Sequence, residues 1–514
     1  MNFSEILKDN NEFGRYLSSF NNTPISVSGI VESAFSHFVY SSKTNKNTIV
    51  VMENEEQAKK LFYDLGFYCD NTLYFPTREY IYHNIEATAH FSEHKRINTL
   101  NQILSSKKPQ IVVTSLEAVL GYTIPKKLLA ENTLTIKTGD QFSLDELIEK
   151  LIYMGYTRDD CVEGCGQFCV RGGILDIFSP SNDFPYRIEF FDDCVDSLRI
   201  YDYVSQRTIE TTDEAIIIPC HEALKNDETK ERISQVIDKN IKSLKRKKTD
   251  FSELILSLEA DKEAITQGIE FYAIDKYASL LYGKIYTILD YFSDDDFIFI
   301  YEPKRLFEQS KTLMWEFEEK VKDFSKTSML ISDDIEFSLS FDDFCKISSK
   351  MRHISVNSLN HTEVIYNYNA TFDFESRTTI SLHGKIDYLF NDLQKWQNDN
   401  TTVIILASNR SRGENICGIL NDRGISAEFL NDKKEFRQNK ISIIVGEIKK
   451  GFEYPASKFV IISEQEIFDT EKKKQRRKIE NTKRLKSYTD INVGDYIVHQ
   501  SHGIGKYTGM KKMT

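Results

Sequence analysis

Two short runs rich in consecutive apolar and β-branched residues constrain this chain more than any other feature. They are TIVVMEN at Thr48–Asn54 and IVVTS at Ile111–Ser115. An apolar run without alternation needs burial on both faces, the condition of a strand inside a parallel sheet. Each run leads into a helical pattern. Ala58, Leu61, Phe62 and Leu65 recur at helical spacing after the first, and LEAVL follows the second. Gly66 stands where a C-cap glycine is expected. Buried strands alternating with amphipathic helices predict an α/β fold of βαβ units. A length of 514 residues predicts three or more domains.

Near residue 140 the period changes. Ser143-x-x-Glu146 reads as a capping box opening a helix, with Leu144, Leu147, Ile148, Leu151 and Ile152 on one face. After Gly155 the alternation has period two. Phe168 and Val170 alternate with Gln167, Cys169 and Arg171, and further strands are expected at Ile174–Phe178, Tyr186–Phe191 and Val195–Tyr201. Asp192-Asp193 reads as the turn between the last two. The pattern is that of a small antiparallel unit inserted into an α/β domain. Alternation sends Ile188 and Phe190 to one face and Arg187, Glu189 and Phe191 to the other. With Phe168 and Val170 inward, Arg171 joins that second face. Two arginines beside a phenylalanine make a protein-binding hot spot if the face is open, or core if a helix covers it.

The pattern from about 225 to 345 is mostly helical, and KRKK at Lys245–Lys248 reads as a solvated face. TTVIILAS (Thr401–Ser408) and ISIIVGE (Ile441–Glu447) restart the alternation and predict a second small α/β domain over 360–468. Glu471–Lys486 holds nine Lys or Arg in sixteen residues without apolar periodicity, a linker or a helix exposed all round. The last stretch, INVGDYIVHQSHGIGKYTGMKKMT, alternates like a β-ribbon with glycine turns but is too short to bury a core.

A net charge of −12 argues against a whole-surface nucleic-acid binder, because neutralising phosphates takes clustered cations. The average conceals a contrast: residues 471–514 carry twelve Lys or Arg against four Asp or Glu, while the first 470 carry 54 against 74. No apolar run approaches the ~20 residues of a membrane span, and the start lacks the apolar core of an export signal. Eight cysteines fit a reducing cytosol, so a cytoplasmic protein with no membrane partner is expected.

Short motifs point to little chemistry. SVSGIVES (Ser26–Ser33) sits where a phosphate-binding loop would precede the first helix, but Glu32 takes the position of the Lys, and Ser26 and Val31 replace glycines. A carboxylate facing a triphosphate is repulsive, so Ser28, Gly29, Glu32 and Ser33 form an inactive nucleotide loop. His90-x-x-Glu93-His94 matches an inverted zinc-protease pattern in which the two imidazoles would hold the metal, yet no third ligand follows in the sequence. Cys161, Cys165 and Cys169 lack the paired spacing of zinc or iron–sulfur ligands and read as small neutral fillers. His499-x-x-His502 has no cysteines near it. Neither a catalytic constellation nor a metal site is expected.

Longer motifs carry a resemblance. VRGGILDIFSP followed by DFPYRIEFFDDCVDSLRIYD resembles a segment shared by the repair protein UvrB and the transcription-repair coupling factors (Mfd). VGDYIVHQSHGIGKYTGM is similar to the start of the CarD-like, RNA-polymerase-interacting domain of the coupling factors, which UvrB lacks. GFEYPASKFVIISEQEIF (Gly451–Phe468) and FPTREY (Phe75–Tyr80) resemble the same family, so the likeness spans nearly the whole chain. It implies a degenerate RecA-like domain in two parts, 1–137 and 209–345, around an inserted UvrA-interaction domain at 138–208. A small α/β domain at 360–468, a basic linker at 469–488 and the start of an SH3/Tudor-like barrel at 489–514 follow. The family's UvrA-binding residues fall on Arg171, Arg187 and Phe191. Val493, Gly494, His499, His502, Gly503 and Gly505 fall in the module that contacts the RNA polymerase β subunit, a contact expected to be weak or absent with so little of the module present. The family's SF2 translocase motor, with its ATP, Mg²⁺ and most of its DNA contacts, has no counterpart in these residues. The resemblance thus implies an adaptor for transcription-coupled nucleotide-excision repair, without an ATPase of its own. A UvrB-like ATP-dependent helicase and an inactive scaffold paralogue are the alternatives.

Overall fold

The computed structural model describes residues 2–468, except 43, 81–89, 247–250, 268–272, 325–337, 360–364, 380–385 and 432–435; beyond 468 it describes 496–499 and 503–506. The linker expected at 469–488, half of the KRKK run, and Val493, Gly494 and His502 lie outside the described residues.

Residues up to Phe468 form one compact unit. Its centre is a seven-stranded, wholly parallel sheet in the order Ala370–Asp373, Ile25–Ser28, Arg352–Val356, Phe297–Tyr301, Thr48–Met52, Ile111–Ser115, Thr72–Phe75. Both faces are covered, which is why the central strands read as unbroken apolar runs. Val50, Val113, Phe299 and Ile354 face one layer, with Phe35 and Phe38 of helix Glu32–Ser41 and Leu61 and Leu65 of helix Glu55–Tyr68. Ile49, Val112 and Ile298 face the other, with Ile97 and Leu100 of helix Phe91–Ser105.

A second sheet, Arg377–Thr378, Phe452–Tyr454, Phe459–Ser463, Thr402–Ala407, Ile441–Val445, Ala427–Leu430, is mixed. Its Ile404, Ile444, Phe452 and Ile461 join the first core layer, so two sheets share one hydrophobic interior. His37 is enclosed there. Its Nε2–H donates to the Phe3 carbonyl at 2.9 Å, Nδ1 lies 3.3 Å from the Tyr454 hydroxyl, and burial lowers its pKa to about 4.

The insertion begins and ends on an antiparallel pair, Leu134–Lys137 with Glu214–Ile217. Between them lies a six-stranded sheet, Thr208–Thr211, Cys194–Tyr201, Tyr186–Phe191, Ile174–Ile177, Gln167–Arg171, Thr157–Arg158, antiparallel except for the last pair. Helix Leu144–Tyr153 lays Leu147 and Leu151 on the face formed by Phe168, Leu175, Ile188 and Leu198. After the insertion, helices Asp227–Leu244 and Ser252–Gln267 build a core with Tyr277 and Leu281. Beyond Phe468, Tyr496–His499 and Gly503–Lys506 form a hairpin that pairs Ile497 with Gly505 and His499 with Gly503. Among the described residues no helix is long and apolar enough to cross a membrane.

Several expectations are corrected. Gly66 is no C-cap: it lies inside helix Glu55–Tyr68, which runs on because Phe67 and Tyr68 pack against Phe3, and Cys69 caps it. The loop at Ser28 does not precede the first helix, since helix Asn11–Ser18 comes earlier. Ser143 is the N-cap of its helix but makes no side-chain capping bond, and Ile152, at the margin of the apolar stripe, is exposed. The stretch expected to be helical hides the buried strand Phe297–Tyr301. The parallel sheet also takes in Arg352–Val356 and Ala370–Asp373, past the 345 expected as that domain's end.

Candidate functional site

Helix Leu144–Tyr153 covers the opposite face of the insertion from Arg171, Arg187 and Phe191, while Val162, Cys165 and Tyr203 pack with Cys169 and Phe178 over part of their own face and leave its Arg171 and Phe191 end open. Two tight hairpins place the outward residues. Gly172 (φ +60) and Gly173 turn the chain after Arg171, and a Cβ on Gly173 would meet the Phe190 carbonyl oxygen at 2.8 Å, too close for another residue. Asp192 (φ +55) turns it after Phe191, opposite Cys194. Arg171 and Phe191 therefore sit at one end of the sheet, with Arg187 deeper along the same face.

The three differ in how firmly they are held. Phe191 is 79% exposed. Arg187 is clamped by the buried Asp176, Nε to Oδ1 at 2.7 Å and Nη2 to Oδ2 at 2.8 Å, and lies over the Tyr201 ring at 4.2 Å. Its Nη2 also donates to Gln206 Oε1 at 3.0 Å. The Arg171 side chain is 55% exposed, 3.6 Å from Asp176. Beside them Glu189 pairs with Arg199 and accepts from Ser197 at 2.8 Å, and these bonds hold its carboxyl below the usual range. The face thus offers an aromatic ring, a half-exposed guanidinium and a second one fixed in orientation. Sequence reasoning missed Asp176, Tyr201 and Gln206, which do the fixing. An aspartate inside the apolar run ILDIF was the available signal.

The loop at Ser28 is filled by its own chain. Gly29 (φ +79) lies so close to the next strand that a Cβ there would stand 1.7 Å from the Phe374 carbonyl oxygen. Val31 N–H donates to Ser376 Oγ at 2.8 Å, Ser376 Oγ–H donates to the Gly29 carbonyl at 2.8 Å, and Ile30 N–H donates to the Asn357 carbonyl at 3.2 Å. Ser28 bonds Asp373, Ser33 Oγ lies 3.1 Å from Thr378 Oγ1, and Glu32 pairs with Lys60 at 2.7 Å. Two of the loop's amide donors, those of Ile30 and Val31, are thus spent within the protein.

A third polar cluster lies where the insertion returns to the body. Arg78 of the FPTREY motif bonds Glu222, and its Nη2 donates to Asp275 at 2.9 Å; fully buried Arg96 reaches Glu222 at 3.0 Å. Glu93 Oε1 accepts from Glu222 N–H at 2.8 Å, while Oε2 lies 3.1 Å from both His90 Nδ1 and His221 Nδ1. The His90 and His94 rings are 6.1 Å apart, so the pair suggested by the sequence is not the one gathered around Glu93; His221 takes that place. Burial lowers the His94 pKa to about 4. Cys161, Cys165 and Cys169 are not drawn into a metal-ligand set among the described residues. Burial pushes the Cys165 thiol up to about 12, and Cys169 Sγ accepts from Arg171 Nε at 3.4 Å.

Family models match three stretches: the UvrB interaction domain at residues 134–222, the MFD D3 domain at 396–467, and the CarD-like/TRCF RID domain at 491–514. The chain is 31% identical over 499 residues to the transcription-repair-coupling factor of Bacillus subtilis (strain 168), a match covering 95% of this chain and 42% of that relative. The transcription-repair-coupling factors of Staphylococcus haemolyticus (strain JCSC1435) and Staphylococcus epidermidis (strain RP62A) are each 27% identical, over 99% of this chain and 44% of their own lengths. The chain spans less than half the length of these curated relatives.

Proposed function

We propose that this chain, similar to transcription-repair-coupling factors along nearly its whole length, is the recruiting part of such a factor, joining UvrA to RNA polymerase stalled at DNA damage. The parallel-sheet body is a degenerate RecA-like domain without ATPase activity, and UvrA docks on the face bearing Arg171, Arg187 and Phe191. The residues from 489 on begin the module for the polymerase β subunit. The observation that carries this reading is the open end of that face: a largely exposed Phe191 near the half-exposed Arg171, with Arg187 deeper along it, in the region matched by the UvrB interaction domain. Aromatic and arginine anchors dominate the energetics of protein interfaces.

A pull-down or titration with purified UvrA tests it. Phe191→Ala and Arg171→Ala should each weaken binding about thirtyfold, roughly 2 kcal/mol, with no change in folding. Parent-like binding by both variants would remove the face from consideration. Against a UvrB-like helicase stands the loop at Gly29, whose Ile30 and Val31 amides are bonded to Asn357 and Ser376 and whose Glu32 pairs with Lys60. A DNA-stimulated ATPase assay on this chain should stay at background, and turnover sensitive to changes around Gly29 would favour the helicase instead.

A further inference from the structure

We propose that His90, Glu93 and His221 form a binding site for Zn²⁺. One ligand atom from each lies within 4.8 Å of the others. Glu93 Oε2 is central, 3.1 Å from the Nδ1 atom of each histidine, and the two imidazoles stand edge to face, at 71°, with centroids 4.8 Å apart. Ligands of a tetrahedral zinc at bond lengths of 2.0–2.1 Å stand about 3.3 Å from one another, so the carboxylate–imidazole separations already suit the ion. Drawing the two nitrogens together around it completes the set, and the fourth position is left to water. Two imidazoles with one carboxylate is a borderline-soft donor set that favours zinc over magnesium or calcium.

The surroundings hold the three groups as metal ligands need to be held. Glu93 Oε1 is engaged by the Glu222 backbone N–H at 2.8 Å and faces Arg78 at 3.5 Å, which turns Oε2 toward the histidines. His221 is set by Gly155 (φ +90): a Cβ there would stand 2.3 Å from the ring, so only glycine leaves it room. His90 ends the approach to helix Phe91–Ser105 and spends no side-chain bond on capping it. The charges also call for a cation. In this cluster Arg78 and Arg96 face Glu93, Glu222 and Asp275, two positive groups against three negative ones.

The ion would tie the start of helix Phe91–Ser105 to the segment that follows strand Glu214–Ile217, with Glu93 and His221 128 residues apart in sequence. Each imidazole binds through a nitrogen freed of its proton, so zinc uptake releases protons and weakens in acid.

The test is titration of the intact, chelator-stripped chain with Zn²⁺ alone, by calorimetry and by competition with a chromogenic chelator. Co²⁺ serves as a spectroscopic substitute. One equivalent should bind, Co²⁺ should give the visible bands of a tetrahedral ion, and zinc should raise the thermal midpoint. His90→Ala and His221→Ala should each weaken binding at least ~100-fold and abolish the Co²⁺ bands, with far-UV circular dichroism unchanged. Glu93→Gln should do the same; if it disturbs the fold, the two histidine variants still decide. Absence of a one-to-one complex, or zinc held equally well by both histidine variants, would overturn the site.

Discussion

At the scale of single residues, exposure separates clean probes from ambiguous ones. Phe191→Ala should leave stability within about 0.5 kcal/mol in urea unfolding, because the ring packs on little. Arg187→Ala should cost about 3 kcal/mol, since it removes the two-bond partner of the buried Asp176 carboxylate and leaves it only Arg171 at 3.6 Å. A loss of UvrA binding by Arg187→Ala alone would therefore confuse docking with folding, which is why Arg171 and Phe191 are the better tests. Gly29→Ala should be more severe still and fail to give a stable chain, as no movement short of shifting the neighbouring strand admits its Cβ. Three histidines set the response to acid. Burial lowers His37 and His94 to about 4 and His353 to about 3. Below about pH 6.5 the unfolded chain takes up protons that the folded chain refuses, so stability should fall as pH drops toward 4, by up to roughly 1.4 kcal/mol per pH unit for each group. Asp64, raised to about 6 chiefly by burial, and Glu466, also raised by burial, oppose this over part of the range, two groups against three. A urea midpoint that stays flat or rises between pH 6.5 and 4.5 would contradict the assignment.

At the scale of elements, Gly66 gives the most direct prediction. It is interior to its helix, outside the left-handed region, and nothing lies within 4 Å of the Cβ it would gain. Gly66→Ala should stabilise the protein by about 0.5–1 kcal/mol by denaturant unfolding, whereas a C-cap glycine would lose stability on the same change. The same helix illustrates what was legible. Strands buried on both faces declared themselves as continuous runs, and the insertion declared itself by alternation. Phe297–Tyr301 did not, because five apolar residues between two helical stretches fit a helix equally well. Arg352–Val356 was masked by His353 and Ser355, polar residues bonded to each other at 2.7 Å inside the sheet. The edge strands Thr157–Arg158 and Thr208–Thr211 are exposed on both faces and leave no pattern. Of the proposed docking face, the three outward residues could be read from alternation, but the clamp around Arg187 and the approach of His221 to Glu93 join strands and segments that only folding brings together.

At the scale of the whole molecule, the interior layer common to both sheets predicts shared cooperativity. Helices Glu32–Ser41 and Glu55–Tyr68 contribute to a core that residues from both sheets complete. Calorimetry of the full chain should show one dominant transition, and a well-separated second peak for the 377–468 sheet would mean that the common layer contributes little. The two ends of the insertion, paired residue for residue from Leu134↔Ile217 to Lys137↔Glu214, carry a different consequence. A loop of chain that leaves and rejoins its host at neighbouring points is topologically portable. It can be lifted out, exchanged for another or grafted elsewhere without rethreading the host. Selection can thus revise which partner this protein greets while the framework behind it stays as it was.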